Sequence, residues 1–167
     1  MNSYQNSFPN TKAKALELLN SRGVTIQDIA ELVYFLQKKY HPHLTMEECV
    51  ENVNAVLSKR EVQNAVLTGI QLDILAEKKQ LEEPLQSIIA TDEGLYGVDE
   101  ILAFSIVNVY GSIGFTNYGY IDKLKPGILK YLNDKSTGLC NTFLDDIVGA
   151  IAAAASSRLA HRAANVE

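Results

Sequence analysis

Residues 141–164 read NTFLDDIVGAIAAAASSRLAHRAA, and this stretch decides the fold. Phe143, Leu144, Ile147, Val148, Ile151, Ala155 and Leu159 recur at three-to-four spacing, the period of an α-helix. Gly149, Ala150, Ala152, Ala153 and Ala154 keep its other faces small. A helix that is apolar or small all round is buried on every side. The spacing therefore predicts an all-α, compact helical bundle. The helix from about Asn141 to about Ala164 lies at its centre, surrounded by the others.

Working outward, the apolar spacing is helical almost everywhere and strand-type alternation is absent. Thr11 precedes a helix that Gly23 stops. Thr25 with Asp28 starts a second, which His41-Pro42 ends. Thr45-Met46-Glu47-Glu48 is a capping box for a third, whose apolar face includes Cys49. Glu61 to Lys79 carries Val62, Val66, Ile70 and Ile74 at regular fours. Pro84 sits in the first turn of a short helix, and Thr91 to Gly97 reads as a loop. Asp99 to Tyr110 is helical, Gly111 to Gly119 is irregular, and Pro126 opens another helix through Leu132. With no repeat and no linker, residues 1–167 are read as one all-α domain with an acidic motif region at 92–151.

Hydrophobic residues make up 47% and charged residues 21% of the 167 positions, too apolar a balance for a disordered chain. The net charge of −5 offers no overall basic field to hold a nucleic-acid backbone, so no nucleic-acid partner is expected. Cys49 and Cys140 stand in no metal or redox spacing, which suits a reducing cytosol. The polar stretch Met1–Ser7 lacks the features of a signal peptide. Ile101 to Ile121 has no charge over 21 residues but holds Ser105, Asn108, Gly111, Gly114, Asn117 and Gly119, which are costly in lipid. A buried helix followed by an ordered glycine-rich loop beside the acidic residues is the better account.

No phosphate-binding glycine loop of either common type is present. His41-Pro42-His43 could offer imidazoles to a metal, although an exposed turn accounts for it more simply. The acidic residues of the second half carry more information. Asp92, Asp99-Glu100, Asp122 and Asp145-Asp146 each border an apolar or glycine-containing segment. Mg²⁺ prefers carboxylate oxygens, and phosphoryl transfer needs such a cation to offset phosphate charge. Adjacent helix residues diverge by about 100 degrees, so each doublet should turn one carboxylate toward a given metal. The competing account is a cap, because Asp99, Asp122 and Asp145 are expected near helix starts. Asp146 favours chemistry, since a charge inside a buried helix is costly without a partner.

Asp92-x-Gly94-(x)4-Asp99-Glu100, Asp122-x-x-Lys125-Pro126 and Gly138-(x)6-Asp145-Asp146-Ile147-Val148 together resemble the motif set of the phosphatidylglycerophosphatase A family. The whole chain is similar to its short soluble Gram-positive branch, called low-temperature-requirement C-like. The resemblance implies a Mg²⁺-dependent phosphomonoesterase that converts phosphatidylglycerophosphate to phosphatidylglycerol. On it, Asp99, Glu100, Asp122 and Asp146 are candidate catalytic residues. Asp92, Asp99, Glu100, Asp145 and Asp146 are candidate metal ligands, and Lys125 with Lys123 would bind the substrate phosphate. Gly119 stands near the place where longer members have arginine, so a bidentate phosphate ligand is missing. Longer members also have membrane spans, so this chain would act in the cytoplasm, with peripheral contact at the membrane, on a phospholipid or another phosphomonoester. A homo-oligomer is compatible with this reading. Two other readings are a non-catalytic helical interaction module with acidic caps, and a nucleotide pyrophosphohydrolase drawing on Glu48-x-x-Glu51. The second lacks the downstream Glu-x-x-Asp block it requires.

Overall fold

Helix starts in this protein are set by side chains that take up free backbone amides. Thr25 Oγ1 accepts from Asp28 N at 3.1 Å while Asp28 Oδ2 accepts from Thr25 N at 2.8 Å. Thr45 and Glu48 repeat this reciprocal pair at 3.2 and 2.9 Å. The first cap lies one residue earlier than expected, at Asn10, whose Oδ1 accepts from Ala13 N at 3.0 Å. Thr11 is thereby released to donate to Gln63 Oε1.

The computed structural model describes residues 10–164, so the polar Met1–Ser7 stretch lies outside it. The described helices are α1 (Thr11–Ser21), α2 (Ile26–Gln37), α3 (Met46–Leu57), α4 (Arg60–Glu77), α5 (Leu85–Ala90), α6 (Val98–Val107), α7 (Ile113–Leu124), α8 (Ile128–Leu132) and α9 (Leu144–Ala164). No strand occurs among the described residues. The expected all-α architecture with one central helix is what the chain forms. Helices α2, α3, α4, α6, α7 and α8 all pack on α9, and every residue from Leu144 to Ser157 is buried. Ala150 and Ala152 to Ala155 are wholly enclosed. Small side chains let several neighbouring backbones approach α9 at once, while Phe143, Ile147 and Ile151 fill the gaps. Each such large apolar side chain contributes about 1.5–3 kcal/mol on burial.

One expectation is corrected. Gly111 to Gly119 is not an irregular loop, because α7 begins at Ile113 and runs through it. Gly114 is a packing residue: a Cβ there would stand 2.8 Å from Val107 Cγ1 and 3.1 Å from Ser157 Oγ. Its helical cost relative to alanine, roughly 1 kcal/mol, is offset by this close approach to α6 and α9. The uncharged 101–121 stretch is thus two helices joined by a 3₁₀ turn at Asn108–Tyr110. No described helix is long and apolar enough to cross a membrane.

Ala153 is completely enclosed, so Ala153→Leu must overpack the centre. It is expected to cost on the order of 1–3 kcal/mol, read as a lower urea midpoint. An unchanged midpoint would place this face of α9 in solvent.

Candidate functional site

A helix that starts inside the core leaves its first N–H groups without water. Asp73 of α4, fully buried, supplies their acceptors: Oδ1 takes Phe143 N and Oδ2 takes Leu144 N, each at 3.0 Å. The segment before α9 is tied down as well. Arg22 pairs with Glu77 through both terminal nitrogens and reaches Cys140 O at 2.7 Å and Asn141 Oδ1 at 3.0 Å. Glu77 Oε1 in turn accepts from Cys140 N at 2.7 Å. Sequence reasoning missed Asp73. The available signal was its helical register with Val62, Val66 and Ile70, which puts a carboxylate on the buried stripe of α4. Burial pushes its carboxyl up to about 8, against the pull of the two amides and Arg22.

With the start of α9 fixed, its first turn presents Asp145 and Asp146, only 9% and 7% exposed. Lys125 Nζ reaches Asp145 Oδ2 at 3.0 Å and Asp122 Oδ1 at 2.5 Å. The left-handed conformation of Lys125 (φ 46°), at the end of α7, turns the chain there. Asp99, in the first turn of α6, faces Asp146 within hydrogen-bonding reach. Asp92, in a left-handed turn (φ 53°), lies near enough to act on Asp99 and Asp145 and is paired with Lys135. Five of the six expected acidic residues therefore converge at one end of α9.

The sixth does not. Glu100 is exposed, and its backbone N donates to Asp99 Oδ1 at 3.0 Å. Lys123 is exposed in the last turn of α7, apart from the Lys125 bridge. The one-carboxylate rule holds for Asp99-Glu100 and fails for Asp145-Asp146, because α6 and α7 flank α9 and receive one carboxylate each. The cap account is also corrected at Asp122, which ends α7 rather than starting a helix. A carboxylate at a helix C-terminus opposes the helix dipole, so Lys125 is what holds it there. Gly119 is exposed, and a Cβ there would meet nothing within 4 Å.

The electrostatics show a deficit of positive charge. Burial and its neighbour Asp145 push the Asp146 carboxyl up to about 8, with Asp99 and Asp122 adding to the effect. Burial pushes Asp145 up to about 6 although Lys125 opposes it. Burial likewise raises Asp99. One ammonium among these carboxylates leaves them short of a cation. Hard carboxylate oxygens are the donor type that Mg²⁺ takes, so the donor set fits that ion in chemistry. The set is not gathered as a ready cage: among the described residues no three His, Cys, Asp or Glu groups are placed to hold a metal. Lys125 instead sits between two of the carboxylates.

Two other motifs lie elsewhere. Glu48 closes the cap on Thr45, and Glu51 pairs with Arg162 at 2.5 Å. Both line a cavity of about 420 Å³ with His41, His43 and Leu159, at the opposite end of α9. Leu159 is 13 residues beyond Asp146 on that helix, a rise of about 20 Å.

Comparison with known proteins gives a family match and close relatives. Residues 14–161 match the family described as phosphatidylglycerophosphatase A. The chain is 73% identical over 160 residues to the protein YutG of Bacillus subtilis (strain 168), covering 96% of each chain. It is similar to the crystal structure of the low temperature requirement C protein from Listeria monocytogenes, with 68% identity and a TM-score of 0.92 over 93% of this chain and 98% of that one. A structure from Bacillus stearothermophilus, titled as a protein of unknown function, is 79% identical with a TM-score of 0.92, over 94% and 98% of the two chains.

Two outcomes follow from the buried charges. Asp73→Ala should cost about 2–4 kcal/mol by leaving two enclosed amides unpaired, and Asp73→Asn should cost less because it keeps an acceptor. Urea denaturation of both variants checks this; equal midpoints with wild type would remove Asp73 from its capping role. Second, Asp73, Asp145 and Asp146 all titrate above the ordinary carboxylate value near 4. Between about pH 4 and about 8 the unfolded chain has released protons that the folded chain still holds. Cation-free stability should therefore fall as pH rises through this window, and Asp146→Asn should flatten the fall. Urea midpoints at pH 5 and pH 8 test the sign.

Proposed function

We propose, from the fact that the chain belongs to the phosphatidylglycerophosphatase A family, that it is a Mg²⁺-dependent phosphatase releasing the terminal phosphate of a phospholipid. The observation that carries this reading is the convergence of Asp92, Asp99, Asp122, Asp145 and Asp146 around Lys125, with too little positive charge to balance them. A caps-only role would not bring carboxylates from three helices together at one end of α9.

Asp99, Asp145 and Asp146, close together although not gathered as a ready cage, would hold the cation through their carboxylate oxygens. Bound Mg²⁺ would offset charge on the phosphate and polarise the phosphorus–oxygen bond to be broken. Lys125 is placed to exchange a carboxylate for a phosphate oxygen, keeping its ammonium in a charge-assisted bond throughout. Asp122, the more exposed partner of Lys125, is the group to take a proton from the attacking water at a carboxylate oxygen. Asp92 supports the cluster from its rim, where Lys135 holds it.

The surroundings suit a lipid ester. Leu95, Val98 and Ile101 are 92%, 51% and 65% exposed and flank Asp99 in the chain. Such side chains would favour peripheral contact of a cytoplasmic protein with a bilayer. Both cysteines are buried and free, in keeping with that location.

Asp146→Asn should remove most Mg²⁺-dependent phosphate release, because a neutral amide binds the cation more weakly. Its cation-free stability should hold or rise as carboxylate repulsion is relieved. Phosphate release measured on vesicles containing phosphatidylglycerophosphate and on soluble phosphomonoesters, with and without Mg²⁺, tests both reaction and substrate. Full activity in the variant, or release independent of Mg²⁺, would overturn the reading.

A further inference from the structure

Among the described residues, two tyrosine hydroxyls, Tyr110 and Tyr118, are buried without a hydrogen-bond partner. An enclosed polar group with no partner is costly and calls for a reason. Tyr118 is 5% exposed, and its ring is held on two sides. Phe104 meets it edge-on, with ring centroids 5.5 Å apart. On the other side it lies against Gly149, where a Cβ would stand 3.7 Å from Tyr118 Cε2. Gly149 is three residues after Asp146 and so shares its face of α9. The phenol is thereby set against the acidic cluster, and Asp146 is the carboxylate that acts on it most strongly, ahead of Asp122 and Asp145. Tyr110 instead has Arg158 as its charged neighbour.

We propose that Tyr118 is the positioning residue of the acidic centre, its phenol O–H donating to Asp146 when that carboxylate turns to a divalent cation. Asp146 lies within reach of both Asp99 and the Tyr118 phenol, whose hydroxyl makes no well-formed bond there. With a cation held by these carboxylates, Asp146 would still offer an acceptor oxygen to the phenol. The hydroxyl then fixes the carboxylate's orientation, as outer donors commonly do for metal-binding groups. The rigid seat between Phe104 and Gly149 spares the entropy of ordering this donor at the moment of binding. The proposal rests on the cation-dependent reading above.

The test compares wild type, Tyr118→Phe and Tyr110→Phe by Mg²⁺ calorimetry and by urea unfolding without cation. Tyr118→Phe should bind Mg²⁺ about 10–100-fold more weakly. Its cation-free midpoint should stay level or rise, because the hydroxyl it loses had no partner. Tyr110→Phe should retain wild-type Mg²⁺ affinity. Unchanged Mg²⁺ affinity in Tyr118→Phe, beside a wild type that binds the ion, would overturn the role of Tyr118 alone. A lowered cation-free midpoint in Tyr118→Phe would do the same, by showing an ordinary structural hydroxyl. A wild type that binds no Mg²⁺ would bring down the cation-dependent reading together with this one.

Discussion

The Asp73 carboxylate, bonded to the first amides of α9, is the contact on which the remaining architecture depends. A helix can begin in a protein interior only if its free N–H groups find acceptors there. Without Asp73 the amides of Phe143 and Leu144 would be enclosed and unpaired, which weakens the seat of α9 in the core. The Arg22–Glu77 pair and Asn141 extend the same constraint to the preceding residues by occupying the polar groups of the incoming chain. A small polar network thereby fixes where the longest helix starts. The apolar contacts with α2, α3, α4, α6 and α7 then fix its direction.

Burying that start determines the chemistry available. The first turn of α9 carries two carboxylates that cannot escape to water, and α6 and α7 deliver Asp99 and Asp122 to the same end. The helix N-terminus favours negative charge there, although its field falls off within about one turn. Lys125 meets only part of the remaining demand. The cluster is accordingly a place where stability is given up, which the proposed cation binding would account for. Lys125 bridges Asp122 and Asp145, so the cluster holds one positive charge shared between two helices.

The two ends of α9 are built for different ends of the charge scale. At its start, carboxylates are buried and crowded. At its far end Glu51 and Arg162 form an exposed pair, and Glu48 serves a helix cap. The Glu48-x-x-Glu51 spacing, suggestive of pyrophosphohydrolase chemistry when read alone, thus has ordinary structural employment about 20 Å from the cluster. Spacing along a helix sets which face residues share, but burial and partners decide whether that face does chemistry.

Local rules acting over a few residues were legible in the sequence. Apolar spacing marked the helices, Thr25 and Thr45 marked their caps, and the all-round small character of residues 143–160 marked the centre. The motif order likewise named the five carboxylates and Lys125 that the fold brings to the start of α9, together with Glu100 and Lys123, which it leaves exposed. What depended on contacts between distant residues was not legible. Gly114 looked like a helix breaker because its compensation, close approach to Val107 and Ser157, is visible only when three helices are packed. Glu100 and Asp99 are both acidic letters, yet the direction of α6 leaves Glu100 exposed and turns Asp99, half-buried, toward Asp146. Asp73 and Tyr118 carry no motif, since the residues they face lie some 70 and 28 positions away in the chain, at Phe143 and Asp146. Side-chain periodicity is a property of the local backbone and survives in the sequence. The meeting of carboxylates, amides and a phenol at one buried point is a property of helix packing, and only the folded chain decides it.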